Sequence, residues 1–288
     1  LSFPIPDAQL VRARDPRTRF RGLIYLRGWL SHWLLYKWLL PRADHVFVQS
    51  ERMKADVEEK GIPARRITAV PMGVPRGELS DDQDADGPSP GDGTGPLRLV
   101  YLGTLAKTRG LEILVEMLSA LRSARISAHL VMVGDGNEPE DRRLIESYAR
   151  QLNVQDMLSI TGFLPRAEAL RRVQNADVAL SPFFPIPILL STSPTKLVEY
   201  LSLGLPVIAN DHPEQRLVLR QSRGGICVPW GSRHFARAVA WLARLNSEQR
   251  RRIGARGRQW VKENRSYERI GTMLEEKYLA LLSSAADV

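Results

Sequence analysis

From residue 97 to residue 228, short apolar segments alternate with longer amphipathic ones, and this alternation constrains the fold more than any other feature of the sequence. Three further helices are predicted to end the chain. Buried apolar strands that alternate with helices form a parallel sheet with helices on both faces. We therefore predict an α/β fold with a Rossmann-like, doubly wound parallel sheet. Its strands are predicted at 97–102, 129–133, 158–160, 177–180, 206–209 and 225–228, and its helices near 109–123, 139–152, 166–174, 195–203 and 213–221.

A segment rich in Gly, Pro and Asp, residues 76–96, separates this pattern from the start of the chain. Its few apolar side chains cannot offset the entropy lost on ordering, so we predict a flexible linker. The preceding elements are too short to complete a domain, and the chain begins with Leu1, so we expect a piece of a longer protein. Before the linker we predict a Trp-rich helix at 18–40, strands at 45–48 and 67–70, and a helix at 51–60. The predicted organisation is a partial N-terminal domain at 1–75, the linker at 76–96, the Rossmann-like domain at 97–265 and a C-terminal helix at 266–288.

The net charge of +9 is concentrated near the start of the chain, where residues 1–42 hold eight Lys and Arg against two acids. Basic patches attract phosphate in nucleic acids, anionic lipids or nucleotides. The sequence contains no known nucleic-acid-binding motif, so we do not expect a nucleic-acid partner. It also lacks the uninterrupted apolar run of a transmembrane helix. The single cysteine, Cys227, excludes a disulfide framework and is typical of a reducing compartment.

Ligands of such sheets bind in the loops that follow the strands. The first of these loops begins at Gly103-Thr104 and continues through Lys107 and Arg109. Glycine lets a phosphate approach the backbone closely, and the two cations can neutralise its charge. The alternative interpretation is a solvated basic turn.

The second loop leads into the helix predicted at 195–203. Pro194 suits the first turn of a helix, and the hydroxyl residues before it suit an N-cap. The free N–H groups of that turn favour a phosphate, and Lys196 adds a full charge. Glu199, four residues after Thr195, can accept hydrogen bonds from ribose hydroxyls. The alternative is an exposed charged helix surface.

Two further loops, Gly134-Asp135-Gly136 and Gly162-Phe163-Leu164-Pro165, follow neighbouring predicted strands. They can line the site of a flat nucleotide base. The alternative is that they are ordinary turns between strands and helices, which have the same composition. Two Asp-x-Asp pairs, at 82–84 and 84–86, have the spacing of a metal site in transferases of another fold. Both pairs lie in the predicted linker, so we interpret them as solvating charge and expect no metal site.

Taken together, these segments resemble the C-terminal domain of glycosyltransferase family 4, the retaining enzymes of the GT-B fold. The similarity spans about residues 40–280, and the order and spacing of its motifs are far more specific than any one motif. The matching stretches are Tyr101–Leu105 with Arg109-Gly110, Val131–Gly136, Thr161–Pro165, Ala176–Pro182 and Ser193–Ala209, together with Asp44–Glu51 and Val70–Val74.

The resemblance implies that 97–265 binds a nucleotide-sugar and that 1–75 lies on the acceptor side. In this family an Arg is expected where Thr104 stands, and the first of two paired acids is expected where Ser191 stands. The family's catalytic His belongs to an N-terminal part not present in this sequence, so no catalytic residue is assigned. The implied contacts are Gly103, Thr104, Lys107, Arg109, Thr195, Lys196 and Leu197 for the donor diphosphate, Glu199 for the ribose, Gly134, Asp135, Phe163 and Leu164 for the base, and Ser191, Thr192, Ser193 and Pro194 for the donor sugar.

The function that the resemblance implies is transfer of a sugar, with retention, from a nucleotide-sugar to a glycan or lipid-linked acceptor. Cell-surface polysaccharide or glycolipid biosynthesis is the expected setting, with no cofactor or metal. Two alternatives remain open. One is a nucleotide-sugar epimerase on a similar fold. The other is a catalytically degenerate nucleotide-sugar-binding protein, which the replacements at Thr104 and Ser191 would suit.

The Trp-rich segment at 18–40 has flanking arginines, a composition that suits a helix lying on an anionic membrane surface. The equally supported alternative is a helix packed against the core of an N-terminal domain. The first interpretation predicts a cytoplasmic protein attached peripherally to the inner face of the plasma membrane.

Overall fold

The computed structural model describes residues 5–14, 19–75 and 95–286. The chain divides into two compact units, of which the first contains the residues up to Met72 together with Pro185–Ser193. The second contains Gly73–Phe184 and the residues from Pro194 onward. The predicted linker lies outside the described residues except for 95 and 96, and so do the Asp-x-Asp pairs within it.

The first unit pairs two short parallel strands, with Val46 opposite Ile67, and packs helices against them. The predicted strands and the Trp-rich helix are confirmed to within a few residues, whereas the helix nearest the start of the chain was not predicted. No helix in the described ranges combines the length and apolarity needed to cross a bilayer. The elements are α1 (Ile5–Arg14), α2 (Arg21–Trp33), a π-helical segment (Leu34–Leu39), α3 (Leu40–Arg42), β1 (Val46–Val48), α4 (Glu51–Glu59) and β2 (Ile67–Ala69).

The second unit is built on a parallel sheet with the strand order β5-β4-β3-β6-β7-β8. The first strand of this sheet, β3, lies in its middle. The next two strands, β4 and β5, extend the sheet on one side of β3, and β6, β7 and β8 extend it on the other. The order therefore reverses between β3 and β6, where ligands of doubly wound sheets bind. The predicted fold class is confirmed. The strands are β3 (Leu97–Leu102), β4 (Ala128–Val133), β5 (Leu158–Ile160), β6 (Val178–Ser181), β7 (Val207–Asn210) and β8 (Gly225–Val228).

Helices cover both faces of this sheet. Successive strand residues point to opposite sides, and both sets are apolar, so each face needs a covering layer. Leu99 and Tyr101 pack with α5 and α10, and Val100 packs with α8, α9 and α11. Helix α5 begins at Glu112, later than predicted, because Gly110 takes a φ of +61° and ends a short 3₁₀ turn at Lys107–Arg109. The helices are α5 (Glu112–Ser123), α6 (Pro139–Gln151), α7 (Arg166–Gln174), α8 (Thr195–Ser202), α9 (Pro213–Ser222), α10 (Ser232–Ala243), α11 (Ser247–Asn264) and α12 (Tyr267–Ala286).

Close packing of α11 on the turn after α8 depends on Gly254. A methyl group there would overlap the carbonyl oxygen of Gly204, a backbone atom that cannot move aside cheaply. We expect Gly254→Ala to lower the free energy of unfolding by about 1–3 kcal/mol, the usual cost of overpacking, in urea denaturation.

The matched control is Gly271→Ala on the exposed side of α12, where an added methyl group meets no atom within 4 Å. It should stabilise the protein by about 0.5–1 kcal/mol, because alanine favours a helix over glycine. Equal effects of the two substitutions would show that α11 does not pack closely on Gly204.

Candidate functional site

Three loops meet at the carboxyl edge of the sheet, and each contains a glycine with a positive φ. Gly103, Gly134 and Gly162 have φ values of +143°, +142° and +75°. The Gly103 amide donates to the carbonyl of Val133 at 2.9 Å, and Gly134 pairs with Gly162 in an isolated bridge. A Cβ on Gly134 would overlap the Gly103 carbonyl oxygen. The structure thus brings together the loops that the sequence predicts at this edge.

Lys196 joins the turn after β3 to the start of α8. Its Nζ donates to the Tyr101 hydroxyl at 3.0 Å and lies 4.5 Å from the centroid of the tyrosine ring. The amine occupies the space beside Gly103, where any Cβ would overlap it. The Tyr101 hydroxyl in turn donates to the Thr104 carbonyl at 3.3 Å. The two predicted phosphate-binding turns therefore lie next to each other.

The protonation state of the Lys196 amine depends on the charges around it. The pKa of Lys196 falls to about 7, chiefly because the amine is buried and also because of the positive charge of Arg109, while Glu199 opposes both effects. Burial also raises the pKa of Tyr101 to about 12, so the phenol stays neutral. An anion beside the amine would favour its charged form. Arg109 itself is exposed, as is Lys107.

Asp141, near the start of α6, anchors the turn that carries Lys107. Its Oδ1 accepts a hydrogen bond from the Lys107 amide at 3.1 Å, and its Oδ2 accepts from Asn137 and Glu138 at 3.1 and 3.2 Å. These backbone bonds, the one from Lys107 foremost, lower the pKa of Asp141. The residue was not predicted as part of the site, although an acid three residues into a helix is a known capping signal.

The first turn of α8 differs from its prediction. Pro194, not a hydroxyl residue, occupies the N-cap, and no side chain of the described residues caps this turn. The backbone of Pro194 itself is extended, with a ψ of 107°, so the helix begins only at Thr195. The Ser193 hydroxyl accepts instead from the Met72 amide at 3.1 Å, within the first unit. The amides of Thr195, Lys196 and the fully buried Leu197 remain without a side-chain cap, which suits an anion.

Glu199 lies one turn further along α8 and is 9% exposed. Both terminal nitrogens of Arg166, at the start of α7, donate to its Oε1 at 3.1 Å. The neighbouring Tyr200 is fully buried, and its hydroxyl accepts from the Leu102 amide at 2.7 Å. That bond fixes the start of α8 against the end of β3. Arg166 was not predicted from the sequence.

The residues predicted to contact a base are only partly brought together. Oδ1 of Asp135 accepts from the Gly136 amide at 2.9 Å, a bond within its own loop. Leu164 packs against the core beneath α7 and α8. Phe163 is 85% exposed and so packs little against the rest of the protein.

The predicted donor-sugar loop falls on both sides of the division between the units. Ser191, Thr192 and Ser193 belong to the first unit, whereas Pro194 belongs to the second. The Ser191 hydroxyl donates to the Asp56 carboxylate, and the Ser191 carbonyl accepts from Ser50. Thr192 donates to the carbonyl of Leu189 at 2.6 Å. The position where the family's first acid is expected is therefore hydrogen-bonded within the first unit.

The strand order and the glycine-lined edge define a doubly wound α/β domain with a ligand crevice where the strand order reverses. The chain belongs to the family described as glycosyl transferases group 1, whose model matches residues 82–260. Residues 9–73 match the model of a glycosyl transferase 4-like domain. The family predicted from the motifs is thus confirmed.

Among curated relatives, the chain is 24% identical over 266 residues to the "Putative colanic acid biosynthesis glycosyltransferase WcaL" of Salmonella typhimurium strain LT2. The match covers 89% of this chain and 62% of that protein. The chain therefore spans less than two thirds of the length of such relatives.

Solved structures share the fold at low sequence identity. A glycosyltransferase from Rickettsia africae superposes with a TM-score of 0.71 at 20% identity, covering 88% of this chain and 67% of that one. Anabaena Alr3699/HepE in complex with UDP-glucose superposes with a TM-score of 0.66 at 14% identity, covering 83% and 64%.

Replacing Lys196 by methionine tests the electrostatics of the site. The pKa of Lys196 falls from the ordinary 10.5 to about 7 in the folded chain, so between these values the unfolded chain binds more protons. The contribution of Lys196 to the stability of the wild type therefore rises with pH in this window. We expect the unfolding free energy of the wild type minus that of Lys196→Met to increase as the pH rises from 7 toward 10.5, measured by urea denaturation.

The control variant is Lys277→Met on α12, whose stability profile should run parallel to that of the wild type. A difference between the wild type and Lys196→Met that stays constant across this pH window would contradict a buried, desolvated amine.

Proposed function

We propose that this chain carries the nucleotide-sugar-binding half of a glycosyltransferase. The observation that carries the proposal is the meeting of two anion-binding elements at Lys196, which joins the glycine turn after β3 to the uncapped N-terminus of α8. Together they offer free amides, a buried amine and the nearby guanidinium of Arg109 to a single anion. The membership in the glycosyl transferases group 1 family supports a nucleotide-sugar as that ligand.

In this proposal the diphosphate of the donor lies against the first turn of α8. As the bond to the sugar breaks, negative charge grows on the phosphate oxygens. The amides of Thr195 to Leu197, the Lys196 amine and Arg109 stabilise that charge where it develops. In the proposed reaction these groups perform this step without a metal ion. Retention of configuration follows if the acceptor attacks from the face that the diphosphate leaves.

The relatives support a setting for the reaction. The name of WcaL refers to colanic acid biosynthesis, and Alr3699/HepE was solved with UDP-glucose. From these two proteins we propose that the donor is a nucleotide-sugar and that the acceptor is a glycan or a lipid-linked sugar of a cell-surface polysaccharide.

A catalytically degenerate nucleotide-sugar binder is the second candidate, favoured by Thr104 and Ser191, which stand where the family pattern has an Arg and an acid. Ser191 donates its hydroxyl to Asp56. Acceptor-dependent release of the nucleoside diphosphate distinguishes the two candidates. Binding without release supports the binder, and release of an altered nucleotide-sugar without any acceptor supports an epimerase.

The diphosphate contact can be tested with Lys196→Met, studied by calorimetry with UDP, GDP and ADP and with the corresponding nucleosides. We expect the variant to bind the preferred diphosphate about 10- to 100-fold more weakly, the usual loss for a hydrogen bond to a charged group. Binding of the nucleoside should not change, because it carries no phosphate.

Lys277→Met on α12 is again the matched control and should bind the diphosphate like the wild type. A similar loss for the nucleoside and the diphosphate would show that Lys196 does not contact the phosphates.

We further propose that the first unit lies on an anionic membrane at the inner face of the plasma membrane. The side of α2 that holds Gly28 packs against Gln9 and Leu10 of α1. Exposed apolar side chains at the start of α2, along α2 and in the π-helical segment form a surface here termed the aromatic face. It consists of Phe20, Leu23, Tyr25, Leu26, Trp29, Leu30, Trp33 and Trp38, flanked by the exposed cations Arg19, Arg21, Arg27 and Lys37.

An anionic bilayer complements this face, because indole rings favour the headgroup level and arginines favour anionic lipids. We expect the chain to float with vesicles containing phosphatidylserine at low salt. The double variant Trp29→Ser/Trp33→Ser should reduce the affinity for these vesicles by about a hundredfold, given the apolar area that two indoles bury.

Trp241→Ser on α10 removes a tryptophan that is also 48% exposed but lies in the second unit, and it should not affect flotation. Absence of wild-type binding to anionic vesicles at low salt would remove the membrane proposal and would favour burial of the aromatic face by protein.

A further inference from the structure

Arg166 pairs with the carboxylate assigned to the ribose, although no motif singles it out. Its side chain is 59% exposed, whereas that of Glu199 is 11% exposed. Both terminal nitrogens of the guanidinium donate to the same oxygen, Oε1, at 3.1 Å. Two donors converging on one oxygen restrict the rotation of the carboxylate about its last bond, which is otherwise broad.

The pairing also places a positive charge next to the Glu199 carboxylate. A carboxylate this deeply placed would lose much of its hydration, and a cation in contact compensates for that loss. Lys196 is three residues away on the same helix, but its Nζ is directed to the Tyr101 hydroxyl. Arg166 is therefore the cation in contact with Glu199.

The position of Arg166 in the chain links two parts of the site. The loop after β5, which ends at Pro165, is joined to the loop after β4 by the bridge between Gly134 and Gly162. Arg166 follows this loop directly as the first residue of α7. Its bond to Glu199 thus ties the loop predicted to line the base to the helix predicted to hold the phosphates and the ribose.

We infer that Arg166 is a positioning residue for sugar recognition, holding Glu199 so that its carboxylate distinguishes ribonucleotides from deoxyribonucleotides. This inference rests on the proposed function. With Oε1 held by the guanidinium, the carboxylate presents its remaining hydrogen-bonding capacity in one orientation to the vicinal hydroxyls of a ribose. Without Arg166 the carboxylate rotates, and the energetic difference between a ribose and a deoxyribose shrinks.

The test compares the affinity of the intact chain for the preferred nucleoside diphosphate, found among UDP, GDP and ADP, with its affinity for the 2′-deoxy and 3′-deoxy forms. The wild type should prefer the ribonucleotide over at least one deoxy form by about tenfold, the usual value of a hydrogen bond to a charged group. Arg166→Gln should bring that ratio close to one. Arg166→Lys, which restores the charge with one donor group, should recover part of it.

The matched control is Arg171→Gln, an exposed arginine on the same helix, which should keep the wild-type ratio. Thermal melting of each variant separates a loss of folding from a loss of discrimination, since only folded protein is titrated. An Arg166→Gln variant that keeps the wild-type ratio overturns the inference while leaving the proposed function intact. Absence of nucleoside diphosphate binding by the wild type overturns the proposed function itself.

Discussion

The contact between the Lys196 amine, the Tyr101 ring and Gly103 is the constraint on which the rest of the site depends. A buried amine is unfavourable unless polar and aromatic partners replace its water. Tyr101 supplies both, at 3.0 Å through its hydroxyl and at 4.5 Å through its ring. The amine fits only because residue 103 has no side chain. The contact therefore couples the choice of glycine in one loop to the choice of lysine in a helix more than ninety residues later.

Sheet topology explains why these distant segments meet. The strand order reverses between β3 and β6, so the loops that follow them open to either side of one crevice. Tyr200 secures the arrangement by accepting a hydrogen bond from Leu102, at the end of β3. Asp141 secures the other end of the glycine turn through the Lys107 amide. The candidate site is thus held by buried or backbone-directed bonds, while Lys107 and Arg109 are exposed.

Periodicity sufficed to predict β3, β5, α7 and β8 with their observed bounds, because buried strands and amphipathic helices leave local patterns in the sequence. Contacts between segments distant in sequence leave no such pattern. The pairing of Arg166 with Glu199 and the grouping of Pro185–Ser193 with the first unit are of this kind. The predicted hydroxyl N-cap of α8 was wrong, because Pro194 itself is extended and the Ser193 hydroxyl accepts from the Met72 amide, another contact between segments distant in sequence.

The central claim is that the Lys196 contact forms the diphosphate site, and a crystal structure of this chain with bound UDP or GDP tests it most directly. The account predicts phosphate oxygens within hydrogen-bonding distance of Lys196 Nζ and of the first amides of α8, with the ribose beside Glu199. A nucleotide bound at another edge of the sheet, or one whose phosphates face away from Lys196, would contradict the claim.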